Sequence, residues 1–571
     1  MPFALALAGL LAAGVPRTAD AYLERYFQTF PTRATQAGRH DLDRALEDLS
    51  PGRRAAWLAF NRQTREALKA ALAGPGLGAD DRLDAETLLA QVEREIHEHD
   101  VLRRPERDPL YWSGLLSEAT IFLLLREDVP LAERLDAAEA RARALPALAG
   151  QAREALAGGE PSRQAPELFA LAARQLRASA AFFQDGLAGA APDAARAARL
   201  RTAGEPAAAA LERLAAFLDE RGLRAKGSPR LGLDYARSFV LGTGVETPVE
   251  KLLPMLEADL ARLRSDAAAY GRGVFAELLP GETAPADERA LLRRLFARVE
   301  DDHDTSLDDY FAGWRRNLDE LLALVRAKDV VTLPEPLTLR IGRSPAYFVG
   351  QSVGGVYAAG PYAPAAETLL LLPMPSDAAT PAQRETFFRA FNRHFNRMIT
   401  PHELIPGHYL QLKYAARHPR TPRAIFADPV YVEGWGSFCE RLLLDLGWGD
   451  SLPRLAHLKK QLENAARAIV DVRVHTRGMT RDEVLRFAKE DALQDDQFAA
   501  NMWVRAITTA PQLTTYHLGF AQVNGLYQDV RARRGHAFRL REFMDGMMEL
   551  GPVPVASYRE RLLGEAPARR P

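Results

Sequence analysis

Ten residues, His402-Glu403-Leu404-Ile405-Pro406-Gly407-His408-Tyr409-Leu410-Gln411, hold the groups from which a metal-assisted hydrolytic site can be made. Two histidines flank a glutamate just after Thr400-Pro401, as in a zinc site that opens a helix. In the H-E-x-x-H zinc helix the histidines are four apart, about 40° around the axis, and both reach one metal. Here they are six apart, about 240° on an ideal helix, which points the imidazoles away from each other. Pro406 has no N–H for the His402 carbonyl, and its ring clashes with that carbonyl. Gly407 admits dihedrals that other residues avoid. A kink or bulge at Pro406-Gly407 would absorb the two extra residues and bring His408 beside His402. The alternative is a helix ending at Leu404 or Ile405, then a Pro-Gly turn with an unrelated histidine. These ten residues alone admit both.

A two-histidine zinc site still needs a third protein ligand, with a fourth position left to water. Glu433 supplies a candidate on a second helix, in Tyr431-Val432-Glu433-Gly434-Trp435-Gly436-Ser437-Phe438-Cys439-Glu440. Glu440 lies two turns further along the same face, where it would orient a ligand from behind. A solvated pair of helix glutamates is the competing reading, weakened by Trp435, Phe438 and the leucines that follow. With Zn²⁺ held by His402, His408 and Glu433, a bound water would have its pKa lowered toward 7. Glu403, beside a ligand yet free of the metal, would take the water proton and pass it to the leaving amine.

With these motifs the chain resembles the bacterial domain of unknown function family 885, regarded as candidate zinc metallopeptidases. The likeness runs nearly end to end. Pro31-Thr32-Arg33-Ala34-Thr35-Gln36-Ala37-Gly38-Arg39-His40, with Asp43, Leu46 and Asp48-Leu49-Ser50, has the family's opening pattern. H-E-x-x-P-G-H and Glu433-Gly434-Trp435 are its most specific marks. Asp471-Val472-Arg473-Val474-His475 before Gly478-Met479-Thr480 matches a later block, with methionine where the pattern has tryptophan. Pro511-Gln512, Tyr516 and Gly519 match the last block, which lacks a glycine after Pro511 and has His517 in place of lysine. These departures leave the metal residues alone and bear on substrate preference. The resemblance implies a relative of the large helical zinc peptidases, in which two lobes enclose a long cleft. It also implies that Glu433 is the third ligand and Tyr516 the donor to the oxyanion, with His475 and His517 as further candidates. His475 could instead bind substrate, with Asp471 one turn back fixing its tautomer.

The elements that must position these groups are mostly helices. The chain has 571 residues, 47% hydrophobic and 26% charged, a soluble globular balance long enough for two lobes. Lys and Arg number 74 against 75 Asp and Glu, so net charge argues for neither nucleic acid nor an anionic surface. The single cysteine, Cys439, rules out an internal disulfide and a thiolate cluster, so any zinc would need histidine and carboxylate. An apolar run over 3–15 with Ala19-Asp20-Ala21 after it has the form of a signal peptide, although no Lys or Arg precedes it. Export follows from that reading; a first domain helix is the alternative. No stretch is long enough to span a bilayer.

From Ala21 to about Lys328 the pattern is amphipathic helix, punctuated at 158–161, 204–206 and 280–282. His303 lies in an acidic loop, and His394 and His418 read as surface or supporting residues. A small β element is expected near 337–373, with strands at Leu337–Ile341 and Thr368–Leu372 and glycines at 350, 354, 355 and 360 between them. It would form a hairpin or a sheet edge to which extended peptide adds. Tyr357 and Tyr362 would then be cleft-lining donors or core aromatics. Phe387, Phe391 and Phe395 follow at helical spacing and read as core. The expectation is therefore a mainly α protein: a leader over 1–21, then one helical domain, 22–571, with lobes of roughly 22–330 and 331–571. It would bind one Zn²⁺ per chain and cleave peptides. Hydrolysis of another amide or ester, or a silent helical scaffold, are the alternatives.

Overall fold

The computed structural model describes residues 2–343, 355–376 and 378–564, and for 2–13 the backbone alone. Helices dominate, and one three-stranded sheet is present. No helix among the described residues is long and apolar enough to cross a membrane. The helices start where short polar side chains cap them. Asn392, Asp428, Asp450 and Asp495 each accept a backbone N–H in the first turn of the next helix, satisfying a donor that has no intrahelical partner. Thr380 with Gln383 and Thr480 with Glu483 form capping boxes.

The buried apolar residues fall into two large clusters. One runs from Val15 to Leu218 and takes in Phe426; the other runs from Tyr235 to Leu563 and takes in Leu83. The two clusters divide between Leu218 and Tyr235. The helices Val249–Leu278, Glu288–Asp301 and Leu307–Ala327 bury Leu256, Leu292 and Trp314 in the same core as Met398 and Leu404. The change of pattern after 330 leads into a strand at Leu339–Arg343. Gly-Glu-Pro at 204–206 fails to punctuate, because the Ala194–Arg224 helix runs through it. Pro206 is on the exposed face, where water can serve the carbonyl it leaves unpaired, while Gly204 sits against the Phe183 carbonyl with no room for a Cβ. The Pro2–Thr29 helix breaks at Gly14 (φ 76°). Beyond the break Val15, Ala19 and Tyr22 are buried in the first core, so Ala19-Asp20-Ala21 lies within a packed helix.

The sheet has the order β1-β3-β2, with β1 Leu339–Arg343, β2 Gly355–Tyr357 and β3 Thr368–Leu372. The two strands expected as a hairpin are parallel neighbours, Leu339 opposite Thr368, and β2 pairs antiparallel on the other side of β3. All five residues of β3 are buried because each face meets a core: Leu369 and Leu371 pack with Ile121 and Leu125, and Leu370 and Leu372 join the second large cluster. Glycines 350 and 354 lie outside the described residues.

The opening motif holds this sheet to the first core. Tyr362 N–H donates to the Ala37 carbonyl, and Arg126 donates to the carbonyls of Gln36 and Ala358. Gly38 (φ +82°) has Ala363 where a Cβ would be. Thr35 donates to Asp43, and His40 bridges Asp43 at 2.8 Å and Asp128 at 3.3 Å. Those two carboxylates push the His40 pKa up to about 9 despite partial burial. Relative to an unfolded value of about 6.5, this contributes stability in full below pH 6.5, lost as pH rises through 9. The melting temperature should therefore fall between pH 7 and 10 by more in the native chain than in His40→Asn. Parallel curves would exclude a charged His40 staple.

Candidate metal centre

The H-E-x-x-P-G-H motif does not open a helix; it closes one and opens the next. The first helix, Arg393–Glu403, carries His402 in its last turn, and the second, His408–Arg417, begins at the second histidine. Pro401 lies inside the first helix and leaves the Arg397 carbonyl without its N–H; Trp448 Nε1 donates to that carbonyl at 2.7 Å instead. The chain then folds back over the helix end. Gly407 N–H donates to the Pro401 carbonyl at 3.0 Å, and a Cβ on Gly407 would lie 1.9 Å from the His402 oxygen. Only glycine fits there. The reversal replaces the expected bulge and has the effect expected of one: the His402 and His408 rings lie edge to face, centroids 4.6 Å apart.

The third member comes from the Pro429–Asp445 helix. Glu433 Oε2 is 3.7 Å from His402 Nε2 and 3.6 Å from His408 Nε2, and one ligand atom from each residue lies within 4.8 Å of the others. Bonds of about 2.0–2.1 Å to a tetrahedral zinc put ligand atoms ~3.4 Å apart, close to these separations. His402 is 4% exposed, and the side chains of His408 and Glu433 are 11% and 18% exposed. Burial alone would raise the Glu433 carboxyl, but the two imidazoles override it and hold it well below the ordinary range.

Behind His402 the arrangement is fixed. Glu440, fully buried, takes Nδ1 of His402 at 2.7 Å on one oxygen and Nδ1 of His457 at 3.0 Å on the other. With Nδ1–H donated to a carboxylate, the His402 Nε2 lone pair is turned toward Glu433 and His408. His408 Nδ1 has no such support: it is buried with no hydrogen-bond partner among the described residues. The Glu433-Gly434-Trp435-Gly436 run now has a residue-by-residue explanation. Trp435 Nε1 donates to the Pro406 carbonyl and clamps the reversal. Gly434 meets Gly519 of the Thr515–Arg534 helix so closely that a Cβ would come within 2.3 Å of its backbone. A Cβ on Gly436 would lie 2.7 Å from the His402 ring. Gly436→Ala should therefore displace His402 against Glu440 and lower zinc affinity about 10–100-fold, as loss of an outer-shell partner does. Chelator competition would measure it, with circular dichroism showing the helices intact; unchanged affinity would count against this packing.

The three groups face a cavity of about 660 Å³. Its described walls come from residues 310–516. Glu403 lines it and makes no hydrogen bond or ion pair with any other described residue. Gly355 and Val356 of the β2 edge form part of the wall, as do Phe391 and Phe395, which sequence periodicity had assigned to the core. Tyr516, 9% exposed, also lines it. Its hydroxyl oxygen accepts from Gln512 Nε2 and from Arg505, each at 3.1 Å, and Gln512 also reaches Glu433 at 3.4 Å.

Other candidates lie elsewhere. His475 does not reach the cavity. Its Nδ1 accepts from Leu231 N–H, its Nε2 donates to the Ala506 carbonyl, and it stacks on Tyr235, with burial holding its pKa down near 4. The Asp471 carboxylate accepts from the Tyr235 hydroxyl, and among the described residues no hydrogen bond joins it to the His475 ring. That block ties three segments together. His517 turns to Asp259, at 3.1 Å. Tyr357 packs with Phe122 and the Leu369 face of the sheet, and Tyr362, 43% exposed, lies edge-on to Phe27. His303 and His394 pair with Glu385 and Asp302 at the surface. Lys460, Arg467 and Arg505, which do line the cavity, have no local signature that separates them from surface cations.

The family described as "Bacterial protein of unknown function (DUF885)" matches residues 31–562. The chain belongs to that family. Two solved structures share the DUF885 protein's fold. One, "a putative lipoprotein of unknown function from Shewanella oneidensis", has a TM-score of 0.78 at 24% identity over 96% of this chain and 100% of its own. The other, "the putative lipoprotein from Colwellia psychrerythraea", has a TM-score of 0.76 at 15% identity over 96% and 98%. At these identities the likeness speaks for the fold alone. No curated protein matches the chain.

Proposed function

We propose that this DUF885 protein is a zinc-dependent hydrolase of peptide bonds. The observation that carries the reading is the convergence of His402, His408 and Glu433 on one point of a cavity, beside a glutamate whose side chain has no partner among the described residues. The donor set, two imidazoles and a carboxylate, is that of a catalytic zinc site with an open position. Bound there, Zn²⁺ supplies a Lewis acid that brings the pKa of a water toward 7. Glu403 takes the proton of the attacking water on its carboxylate and delivers it to the leaving nitrogen. The water oxygen bonds to the carbonyl carbon and the C–N bond breaks, so one peptide and one water give a new carboxylate and a new amine. Tyr516 donates its O–H to the developing oxyanion. Two N–H groups already point at its oxygen, so its own proton is left to give, and burial first, then Glu433, raise its pKa and keep it protonated. Phe391, Phe395 and Trp314 offer an apolar wall to a substrate side chain.

We place the protein outside the cytoplasm, on the apolar 3–15 run and the lipoprotein descriptions of both solved relatives. The test of function is a digest of mixed peptides by zinc-loaded and chelated protein, read by mass spectrometry. Cleavage only in the zinc-loaded arm is the expected result. Bound zinc with no peptide cleaved would leave another amide, an ester, or a silent scaffold.

A further inference from the structure

One part of the cavity wall carries three cations. Lys460 and Arg467 stand on the Ser451–Arg477 helix and Arg505 on the Asp496–Thr509 helix. All three gather on Tyr516, with charged groups 6.0, 5.1 and 5.5 Å from its ring centroid. Lys460 and Arg467 are 8% and 5% exposed. They share one carboxylate, Glu463, at 3.1 and 2.5 Å. Arg505 has no carboxylate within ion-pair distance among the described residues; it donates to the neutral oxygens of Gln512 and Tyr516. Glu433 is committed to the metal centre. Burying positive charge without its complement is expensive, and here the surplus borders a cavity that an anion can enter. The flat guanidinium fork suits a carboxylate, which it can bind through two parallel N–H groups.

Position narrows the choice of anion. Arg505 reaches the Tyr516 hydroxyl, Gln512 reaches the same hydroxyl, and Gln512 reaches Glu433, at 3.1, 3.1 and 3.4 Å. Three hydrogen bonds therefore separate Arg505 from Glu433 of the metal centre. An extended chain advances about 3.3–3.6 Å per residue, so one or two residues span that distance. We infer that Lys460, Arg467 and Arg505 receive the terminal carboxylate of a peptide, and that the protein releases one or two residues from that end. The inference rests on the peptide-hydrolase reading and specifies which peptides are cut and where.

The test uses the zinc-loaded full-length protein and one amino-acetylated peptide in two forms, free acid and carboxyl-terminal amide. The acid should be shortened from its carboxyl end, with kcat/KM about 10–100-fold above the amide, as charge-assisted hydrogen bonds to one carboxylate allow. Arg505→Gln should bring that ratio toward one, mostly through KM. A merely structural loss at Arg505 would slow both forms alike and leave the ratio standing, which would overturn its assignment. A second measurement needs no hydrolysis: calorimetric titration of the metal-free chain with N-acetyl-L-phenylalanine and with its amide. Only the acid should bind, and Arg505→Gln should abolish it. Equal cleavage of both forms, or cleavage elsewhere in the peptide, would overturn the inference and leave the hydrolase reading intact. Arg505-dependent binding of the acid without any cleavage would keep the carboxylate site and remove the peptidase reading. An amide ending in glutamate that is cut as fast as the free acid would assign the cations to a side-chain carboxylate, and the terminal reading would fail.

Discussion

Replacing Glu403 with glutamine is expected to cut turnover about 10²–10⁴-fold, the usual worth of a positioned general base, while zinc content and melting temperature stay where they were. The structure makes this a clean substitution. Glu403 ends the Arg393–Glu403 helix, lines the cavity, and its side chain makes no hydrogen bond or ion pair with another described residue that glutamine would have to replace. It is adjacent to His402 in sequence but is not one of the three groups that converge, so the ligand set is untouched. Glutamine keeps the size and the hydrogen-bonding reach and loses only the ability to hold a proton. Tyr516→Phe is the companion. It removes one donor to the oxyanion, worth ~10²–10³-fold, and leaves the ligands alone. Loss of zinc from the Glu403 variant would mean that the residue ligates the metal. Zinc retained with full activity would mean that the proton goes elsewhere.

The sequence was informative where chemistry is local and silent where it depends on packing. His402, His408, Glu433 and Glu440 were legible as candidates from residue type and from the family resemblance, although ideal helical phase set the two imidazoles apart. What Pro406 and Gly407 would do to His408 was legible in outcome but not in form. The reversal depends on Trp448 replacing a missing N–H and on Trp435 holding Pro406, and both contacts bridge residues far apart in the chain. Histidines could not be sorted by sequence. His475 and His517 have the same side chain as His402, and only the structure shows both ring nitrogens of His475 bonded to backbone groups and Nε2 of His517 turned to Asp259. The reverse error befell Phe391 and Phe395, whose helical spacing is that of a core stripe although they border the cavity. Fold class followed from helical periodicity, since capping residues and amphipathic patterns act within a few residues. The strand order did not, because a parallel pair carries no turn signal.

Replacing His402 and His408 together with alanine is expected to take bound zinc from one per chain to background. Every feature of the centre bears on this result. Only three protein groups converge there among the described residues, and the double variant leaves Glu433 as the sole survivor. A single exposed-edge carboxylate does not hold zinc at micromolar concentrations, because the affinity comes from several ligands fixed in advance. Zinc sites with full ligand sets bind with about 10–16 kcal/mol, so even one lost ligand costs several kcal/mol, ~10²-fold or more in affinity. The singles should therefore each lose most of the metal, and they should differ. His402→Ala also strands Glu440, a fully buried carboxylate that then keeps only His457 as a partner among the described residues. Breaking a buried pair in this way typically costs about 3–5 kcal/mol, so this variant should melt lower than His408→Ala. His408 Nδ1 has no partner to strand among the described residues, and its loss should fall on the metal alone. The measurement is elemental analysis after dialysis, with calorimetric melting on the same samples. Stoichiometric zinc in the double variant would remove the centre from this cavity, and equal melting of the two singles would remove Glu440 from its supporting role.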